Sequence, residues 1–179
     1  MSAQNPEKVT SILEIFDTTT KQRHVIREFP YLIEAPDWTS DGEYLIYNSE
    51  GLIYKIALSS PHNEELIDTG FASMCNNDHL ISPDMKWLAV SHRSLPHGKP
   101  TIFILPAQGG TPLQVTPSQP SYLHGWSPDS KSIAFWQIDA TKIRDFLLIN
   151  NTDSIYSFTI PIEYPKAGQS PSACRIGVA

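Results

Sequence analysis

Two histidines stand at equivalent places in a repeated sequence pattern, and polar side chains precede one of them. His79 follows Asn77 and Asp78, and His124 comes 45 residues later. Imidazole and carboxylate groups are common transition-metal ligands, so convergence of these side chains would create a ligand or metal site. Pro36 takes the place of the histidine in the first repeat, which breaks any ring of identical ligands. We therefore predict ligand or partner contacts, and no metal or cofactor, at Asn77, Asp78, His79 and His124. The alternative is that each histidine bonds to a turn aspartate within its own repeat.

A second group of candidate residues lies in the most basic local stretch of the chain. The segment from His92 to Pro100 is predicted to be an insertion between two strands, and loops carry partner contacts more often than strands do. His92, Arg93 and His97 are therefore candidate contacts for an acidic partner. The alternative is a solvated loop without a role in binding.

Nothing in the sequence predicts catalysis. Ser82 and Ser127 each precede a turn proline, where a hydroxyl typically caps the turn, and no histidine is predicted to lie against either one. The sequence contains no Gly-x-Ser-x-Gly elbow of the kind that carries a nucleophilic serine in hydrolases. Cys75 and Cys174 are far apart and have no paired spacing for metal or redox chemistry. We therefore predict a protein that is not an enzyme.

The elements that position these residues come from one phrase that occurs three times. It runs from Trp38 to Tyr47, from Ile81 to Val90, and from Trp126 to Phe135. Its aspartates lie 43 and 45 residues apart, which is the length of one four-stranded propeller blade. At this repeat length, 179 residues supply about three to three and a half four-stranded blades. The predicted fold is all-β, a partial β-propeller.

Each phrase predicts a tight turn followed by a strand that is buried between blades. Gly42 suits a left-handed position after the turn, whereas Met85 and Ser130 stand there in the later repeats, so those turns are strained or differently shaped. A further apolar strand follows in every repeat, and in the third repeat it is Phe146–Ile149. The residues expected to be largely buried are Trp38, Leu45, Trp87, Leu88, Trp126, Ile133 and Phe135.

Composition excludes several kinds of partner. A net charge of −6 and scattered Lys and Arg residues argue against a nucleic-acid surface, which would need a basic patch. The chain has no apolar run long enough to cross a membrane, and its first residues lack the apolar region of a signal peptide. We expect a cytoplasmic location for the sequence as written, and a periplasmic one if the true N-terminus is missing.

Two family resemblances are carried by particular phrases. From about Ser11 to Phe135 the sequence resembles TolB-like propeller proteins and, more distantly, WD-like repeats, through Glu34-Ala35-Pro36-Asp37-Trp38, Cys75-Asn76-Asn77-Asp78-His79 and Tyr122-Leu123-His124-Gly125-Trp126. Residues 136–179 resemble the N-terminal propeller of bacterial dipeptidyl peptidase IV, through Trp136-Gln137-Ile138-Asp139 and Tyr164-Pro165-Lys166-Ala167-Gly168. We therefore expect one incomplete propeller domain over residues 1–179, either as one continuous protein or as a fusion with a junction near residues 125–136.

The resemblances imply a scaffold without catalytic parts. Dipeptidyl peptidase IV enzymes carry a hydrolase domain after the propeller, and a pair of glutamates grips the substrate's amino terminus. The stretch from Thr116 to Ser121, where that pair would lie, has no acidic residue. The leading hypothesis is a non-catalytic propeller module that binds a protein, peptide or small ligand at its loop face or channel mouth. The alternative is the propeller fragment of a dipeptidyl peptidase IV-like serine exopeptidase of the prolyl oligopeptidase family. Incomplete blades also predict self-association.

Overall fold

The computed structural model describes residues 9–94 and 98–179, and every regular element in these ranges is a β-strand. An N-terminal hairpin pairs β1 (Ser11–Phe16) with β2 (Arg23–Phe29). Blade 1 contains β3 (Glu34–Trp38), β4 (Tyr44–Ser49), β5 (Leu52–Ala57) and β6 (Glu64–Leu66) in sequence order. Blade 2 contains β7 (Cys75–Ile81), β8 (Trp87–Ser94), β9 (Lys99–Pro106) and β10 (Leu113–Gln114) in the same order. The predicted all-β partial propeller is confirmed.

Blade 3 departs from the predicted strand order. It contains β11 (Ser121–Trp126), β12 (Ile133–Asp139) and β15 (Ala173–Val178), while β13 (Asp145–Asn150) and β14 (Phe158–Glu163) form a separate hairpin, the insert hairpin. The prediction that Phe146–Ile149 forms the next strand of this blade is therefore wrong. The edge of β12 is occupied by β15, in which Gly177 faces Phe135 and leaves space for its ring.

The three repeated turns have one shape and one set of hydrogen bonds. In each turn a hydroxyl donates to the aspartate two residues later, at 2.6 Å from Thr39, 2.7 Å from Ser82 and 2.6 Å from Ser127. The oxygen of that hydroxyl also accepts a hydrogen bond at 3.0 Å from the backbone N–H of the residue five positions after the Thr or Ser. Met85 and Ser130 adopt the left-handed conformation of Gly42, with φ of 60° and 62° against 75°. The turns thus keep their shape without glycine and carry the strain of a side chain there.

Apolar side chains from successive sheets meet face to face. Leu45 and Tyr47 of blade 1 pack with Leu13 and Phe29 of the N-terminal hairpin. Between blades 1 and 2 the buried residues include Ile46, Ile53, Leu88, Val90 and Phe103, and between blades 2 and 3 they include Ala89, Ile102, Leu123 and Ile133. Each fully buried aliphatic or aromatic side chain contributes about 1.5–3 kcal/mol, so these interfaces hold the blades together.

The burial predictions hold for the aliphatic residues and fail for two tryptophans. Leu45, Leu88 and Ile133 are buried as predicted. Trp38 and Trp87 are 46% and 40% exposed, because each stands at a strand end beside a turn, where the neighbouring blade covers it only partly. Trp126 and Phe135 are half-buried, and Trp126 Nε1 donates to the Leu80 carbonyl of blade 2 at 3.1 Å.

Candidate functional site

His79 is held inside the interface between blades 1 and 2. Its side chain is 2% exposed, and neither ring nitrogen has a hydrogen-bond partner among the described residues. Burial lowers the pKa of His79, although the Asp37 carboxylate and nearby backbone carbonyl groups oppose this shift. The imidazole is therefore neutral at pH 7 and has no free path to a ligand outside the interface.

His124 occupies a different environment although its place in the repeat is the same. The register of β11 and β12 shifts between Leu123 and Gly125, which puts His124 at a β-bulge. Its ring is exposed and lies 4.7 Å from the Trp136 ring. The register of β7 and β8 also shifts, between Cys75 and His79, but His79 itself pairs with Val90 and is buried. The shared sequence position therefore does not bring the two histidines together.

The turn aspartates are not the partners of these histidines. Asp84 and Asp129 accept hydrogen bonds from Ser82 and Ser127 instead, and these bonds lower the pKa of both carboxyl groups. The alternative in which each histidine bonds to its own turn aspartate is thus wrong. Across residues 9–94 and 98–179, no group of three His, Cys, Asp or Glu side chains has an arrangement that could hold a metal ion.

Asn77 and Asp78 lie on the inner edge of the blades. The strands β3, β7 and β11 occupy the same end of their sheets, and β7 contacts the other two. Asn77 Nδ2 donates to Glu34 Oε1 at 3.4 Å, across the two inner strands. The Asp78 N–H donates to Asn76 Oδ1 at 3.0 Å. These residues form a polar inner edge and are held mainly by one another.

The basic segment around His92 is mostly strand rather than loop. His92, Arg93 and Ser94 belong to β8, and they pair with Thr101, Pro100 and Lys99 of β9. The predicted insertion is therefore too long: β8 and β9 form a hairpin in which β8 ends at Ser94 and β9 begins at Lys99. His97 lies outside the described residues.

His92 and Arg93 point to opposite sides of this hairpin. His92 is 7% exposed, its Nδ1 accepts the Met74 N–H at 3.2 Å, and burial lowers its pKa. Its ring packs edge-on against Phe71 and Phe103. A ring nitrogen that accepts a backbone N–H must be unprotonated, so His92 is a neutral packing residue. Arg93 is exposed.

A pocket that the sequence did not predict lies where the insert hairpin leaves blade 3. Its volume is about 660 Å³, within the range of small-ligand pockets. Its walls come from the β12–β13 and β14–β15 connections, with Lys142, Ile143, Arg144, Phe146, Tyr164 and Lys166 among the lining residues. The strands β8 and β12 are equivalent in their blades, so the pocket lies on the same face as the end of β8 at Ser94, and we call this face the loop face. Lys99 Nζ binds Glu163 at 2.7 Å and links the start of β9 to the insert hairpin.

The pocket combines cations with aromatic rings. The Phe146 and Tyr164 rings meet edge to face with centroids 6.2 Å apart, and Lys166 Nζ lies 5.3 Å from the Phe146 centroid. A tight turn returns the chain here: Gln169 donates its N–H to the Lys166 carbonyl at 2.9 Å, and Gly168 has a φ of 85° that favours glycine. The unusual Tyr-Pro-Lys-Ala-Gly segment was the available sequence signal, but it indicated a family rather than a pocket.

Comparison with known proteins supports both predicted resemblances. The family model for the dipeptidyl peptidase IV (DPP IV) N-terminal region matches residues 120–179. An uncharacterized protein of Agrobacterium fabrum (strain C58) is 49% identical over 125 residues, which are 70% of this chain and 42% of that protein. A solved structure described as a TolB candidate from Agrobacterium tumefaciens is 42% identical with a TM-score of 0.70, covering 88% of this chain and 56% of the other.

More distant structures share the fold. TolB from Acinetobacter baumannii is 19% identical with a TM-score of 0.60, covering 92% of this chain and 45% of that one. The tricorn protease is 18% identical with a TM-score of 0.53, covering 75% of this chain and 14% of the protease. The chain is similar to TolB-like propellers, and residues 120–179 are similar to the dipeptidyl peptidase IV N-terminal region.

The chain spans about half the length of the relatives it matches, at 42% of the curated protein and 56% of the solved TolB-like structure. The activity and partners of a whole relative are therefore proposals for this chain. Within the described residues, no helix is long and apolar enough to span a membrane.

Proposed function

We propose that this chain is a non-catalytic β-propeller module that binds a protein, peptide or small ligand at its loop face. The observation that carries the proposal is the pocket of about 660 Å³ beside the insert hairpin, where cations and aromatic rings share one concave surface. Concave pockets of this size are typical of ligand sites, and about half of the lining of this one is polar. The polar inner edge around Asn77 is a second place for contacts.

The nucleophile candidates support a role without catalysis. Ser82 and Ser127 donate to Asp84 and Asp129, and their oxygens accept backbone N–H groups, so both hydroxyls are occupied in turns. Burial raises the pKa of the Cys75 thiol to about 12, which keeps it protonated and unreactive at pH 7. A serine without a positioned base loses most of the rate enhancement that a triad supplies.

A fragment library screened by two-dimensional NMR on the whole chain tests the proposal. Isotope-labelled protein is titrated with fragments and short peptides, and shift changes are mapped onto the sequence. We expect changes that cluster at residues 140–146 and 164–170. Hits that perturb only the inner edge at residues 34 and 76–78 would move the site there, and a screen without saturable hits would overturn the proposal.

A second candidate function is the accessory propeller of a dipeptidyl peptidase IV-like serine exopeptidase. The match of residues 120–179 to the N-terminal region of that family favours it. Sequencing the coding region downstream of the Ala179 codon separates the two candidates. A reading frame that continues into a hydrolase domain would support the exopeptidase; further blades followed by a stop codon would support the binding module.

Partner and location belong to the same proposal. The partner is a protein or peptide rather than a nucleic acid, because the net charge of the chain is −6 and most of its Lys and Arg residues are scattered. A periplasmic location is part of the proposal if an export signal is encoded upstream of the Met1 codon.

A further inference from the structure

The pocket beside the insert hairpin has the opposite charge to the chain that contains it. Lys142, Arg144 and Lys166 line it together with one carboxylate, Asp145, whereas the whole chain carries a net charge of −6. In the described part of the chain, none of the three cations has an ion-pair partner. Cations on a concave surface that are not neutralised by the protein attract anionic ligands.

A neighbouring carboxylate does not cancel this charge. Asp139 lies outside the pocket lining, and its pKa is lowered first by hydrogen bonds from Thr141 and then by the charges of Lys142 and Arg175. The Asp139 carboxylate is thus occupied by Thr141, which donates both its hydroxyl and its N–H. Lys142, Arg144 and Lys166 therefore all remain available to a ligand.

Apolar surface lies directly beside these cations. Phe146 and Tyr164 meet edge to face, and the Lys166 ammonium lies 5.3 Å from the Phe146 centroid, so a charge and an aromatic wall occupy one end of the pocket. Inorganic phosphate would use the cations and leave the rings uncovered. A ligand that carries an anionic group next to an apolar side chain would use both.

We infer that the pocket binds a peptide segment in which a carboxylate stands next to an aromatic or aliphatic side chain, with the free C-terminus of a peptide as the best fit. This inference rests on the proposed function, because it names the ligand class of the same pocket. The guanidinium of Arg144 offers two parallel donors that match a carboxylate, and Lys166 adds a point charge. The apolar side chain packs against Phe146 and Tyr164.

Fluorescence anisotropy with the whole chain and three labelled peptides tests the inference. The first probe is Gly-Ser-Gly-Leu-Phe with a free C-terminal carboxylate, and the second is the same peptide as a C-terminal amide. The third probe, Gly-Ser-Glu-Leu-Phe as an amide, carries its carboxylate on a side chain. We expect the amide of the first peptide to bind at least tenfold more weakly than the acid, and binding of the acid to weaken with added salt.

Single substitutions connect the binding to the pocket. Arg144→Gln should weaken binding of the acid probe about tenfold, and Lys166→Gln should weaken it severalfold. Both residues are exposed, so the variants should keep the circular dichroism spectrum and melting temperature of the parent chain. The matched control is Lys131→Gln, whose side chain is 81% exposed at a turn of the same blade and outside the pocket, and it should leave binding unchanged.

The outcomes separate this inference from the proposed function. Equal binding of acid and amide, weakened in both cases by the pocket variants, would overturn the carboxylate inference and leave the binding module standing. Strong binding of the third probe would support a carboxylate site and assign it to an acidic side chain. Binding that neither pocket variant changes would overturn both, because the site would lie elsewhere. If no peptide binds, the inference is wrong, and the fragment screen decides the proposed function.

Discussion

Loss of the Glu64 carboxylate should destabilise the junction between the N-terminal hairpin and blade 1. Glu64 accepts hydrogen bonds from the Tyr31 and Tyr47 hydroxyls, each at 2.8 Å, and it pairs with Arg27 at 3.2 Å. Tyr47 is fully buried, and the Arg27 side chain is 15% exposed. Arg27 also lies over the Phe29 ring at 4.4 Å, so one carboxylate holds side chains from both sheets.

The expected magnitude follows from what Glu64→Ala leaves behind. Hydrogen bonds to a charged group contribute about 1.5–3 kcal/mol, and a buried hydroxyl left without a partner costs about 1–3 kcal/mol. The Glu64 side chain is 31% exposed, so water replaces part of the loss. We expect the free energy of unfolding to fall by about 2 kcal/mol, which moves a urea midpoint by about 1 M.

Urea denaturation followed by tryptophan fluorescence measures this change, and the adjacent glutamate supplies the control. Glu65 pairs with Lys55 at 3.0 Å, but its side chain is 67% exposed. Exposed pairs contribute about 0–1 kcal/mol, so Glu65→Ala should have little effect. Equal losses in Glu64→Ala and Glu65→Ala would refute the reasoning, because the buried Tyr47 hydroxyl would then have no special need for its partner.

The same carboxylate predicts a pH dependence. Burial by itself would raise the pKa of Glu64, but hydrogen bonds from Tyr47 and Tyr31 and the charge of Arg27 lower it below its ordinary value of 4.5. A group whose folded pKa is depressed stabilises the fold above its unfolded pKa and loses this contribution as pH falls through the folded pKa. The parent chain should therefore lose more stability below about pH 4.5 than Glu64→Gln does.

Three further predictions concern blade 3, catalysis and assembly. A Cβ at Gly177 would overlap the Phe135 ring, so Gly177→Ala should lower the melting temperature. Gly125 has open space around it, so Gly125→Ala should leave the melting temperature unchanged. Equal melting curves for the two variants would contradict the β12–β15 pairing. The purified chain should release no dipeptide from an Xaa-Pro substrate, and turnover that Ser82→Ala or Ser127→Ala abolishes would show that a turn serine is catalytic. Light scattering should give a molecular mass that rises with protein concentration, because blade 3 exposes apolar side chains and the open edge of β15. A constant monomer mass would count against self-association.

The parts of this fold that the sequence predicts correctly are those set by neighbouring residues. The turn hydroxyl, the aspartate two residues later and the following strand lie within one phrase, and the structure repeats them with the same distances in all three turns. The same phrase predicts the burial of Leu45, Leu88 and Ile133, because each lies in the first two positions of the strand that follows the turn. Local chemistry decides these features, so a single sequence suffices.

The histidines show where a repeated phrase stops being informative. His79 and His124 have the same offset from the end of their strands, and both strands shift register. The shift between Leu123 and Gly125 leaves His124 unpaired and exposed, whereas the shift in β7 ends at His79, which pairs with Val90 and is buried. Which inner-strand residue is skipped depends on how that strand packs against its neighbour. The spacing of residues in the sequence does not show which residue of the strand is left unpaired. Equivalent positions in the repeat therefore did not bring the predicted ligands together.

The choice of the third strand in blade 3 links the missed element to the missed pocket. Both β13 and β15 are six-residue strands of suitable composition, and the edge of β12 accepts only one of them. The glycine that lies against the Phe135 ring favours β15, and β13 must then pair with β14 outside the blade. Two connections have to cross from the blade to this hairpin and back, and their side chains enclose the pocket. Lys142, Arg144 and Lys166 thus converge because of a strand pairing over about forty residues, and no local pattern around any of them could reveal it.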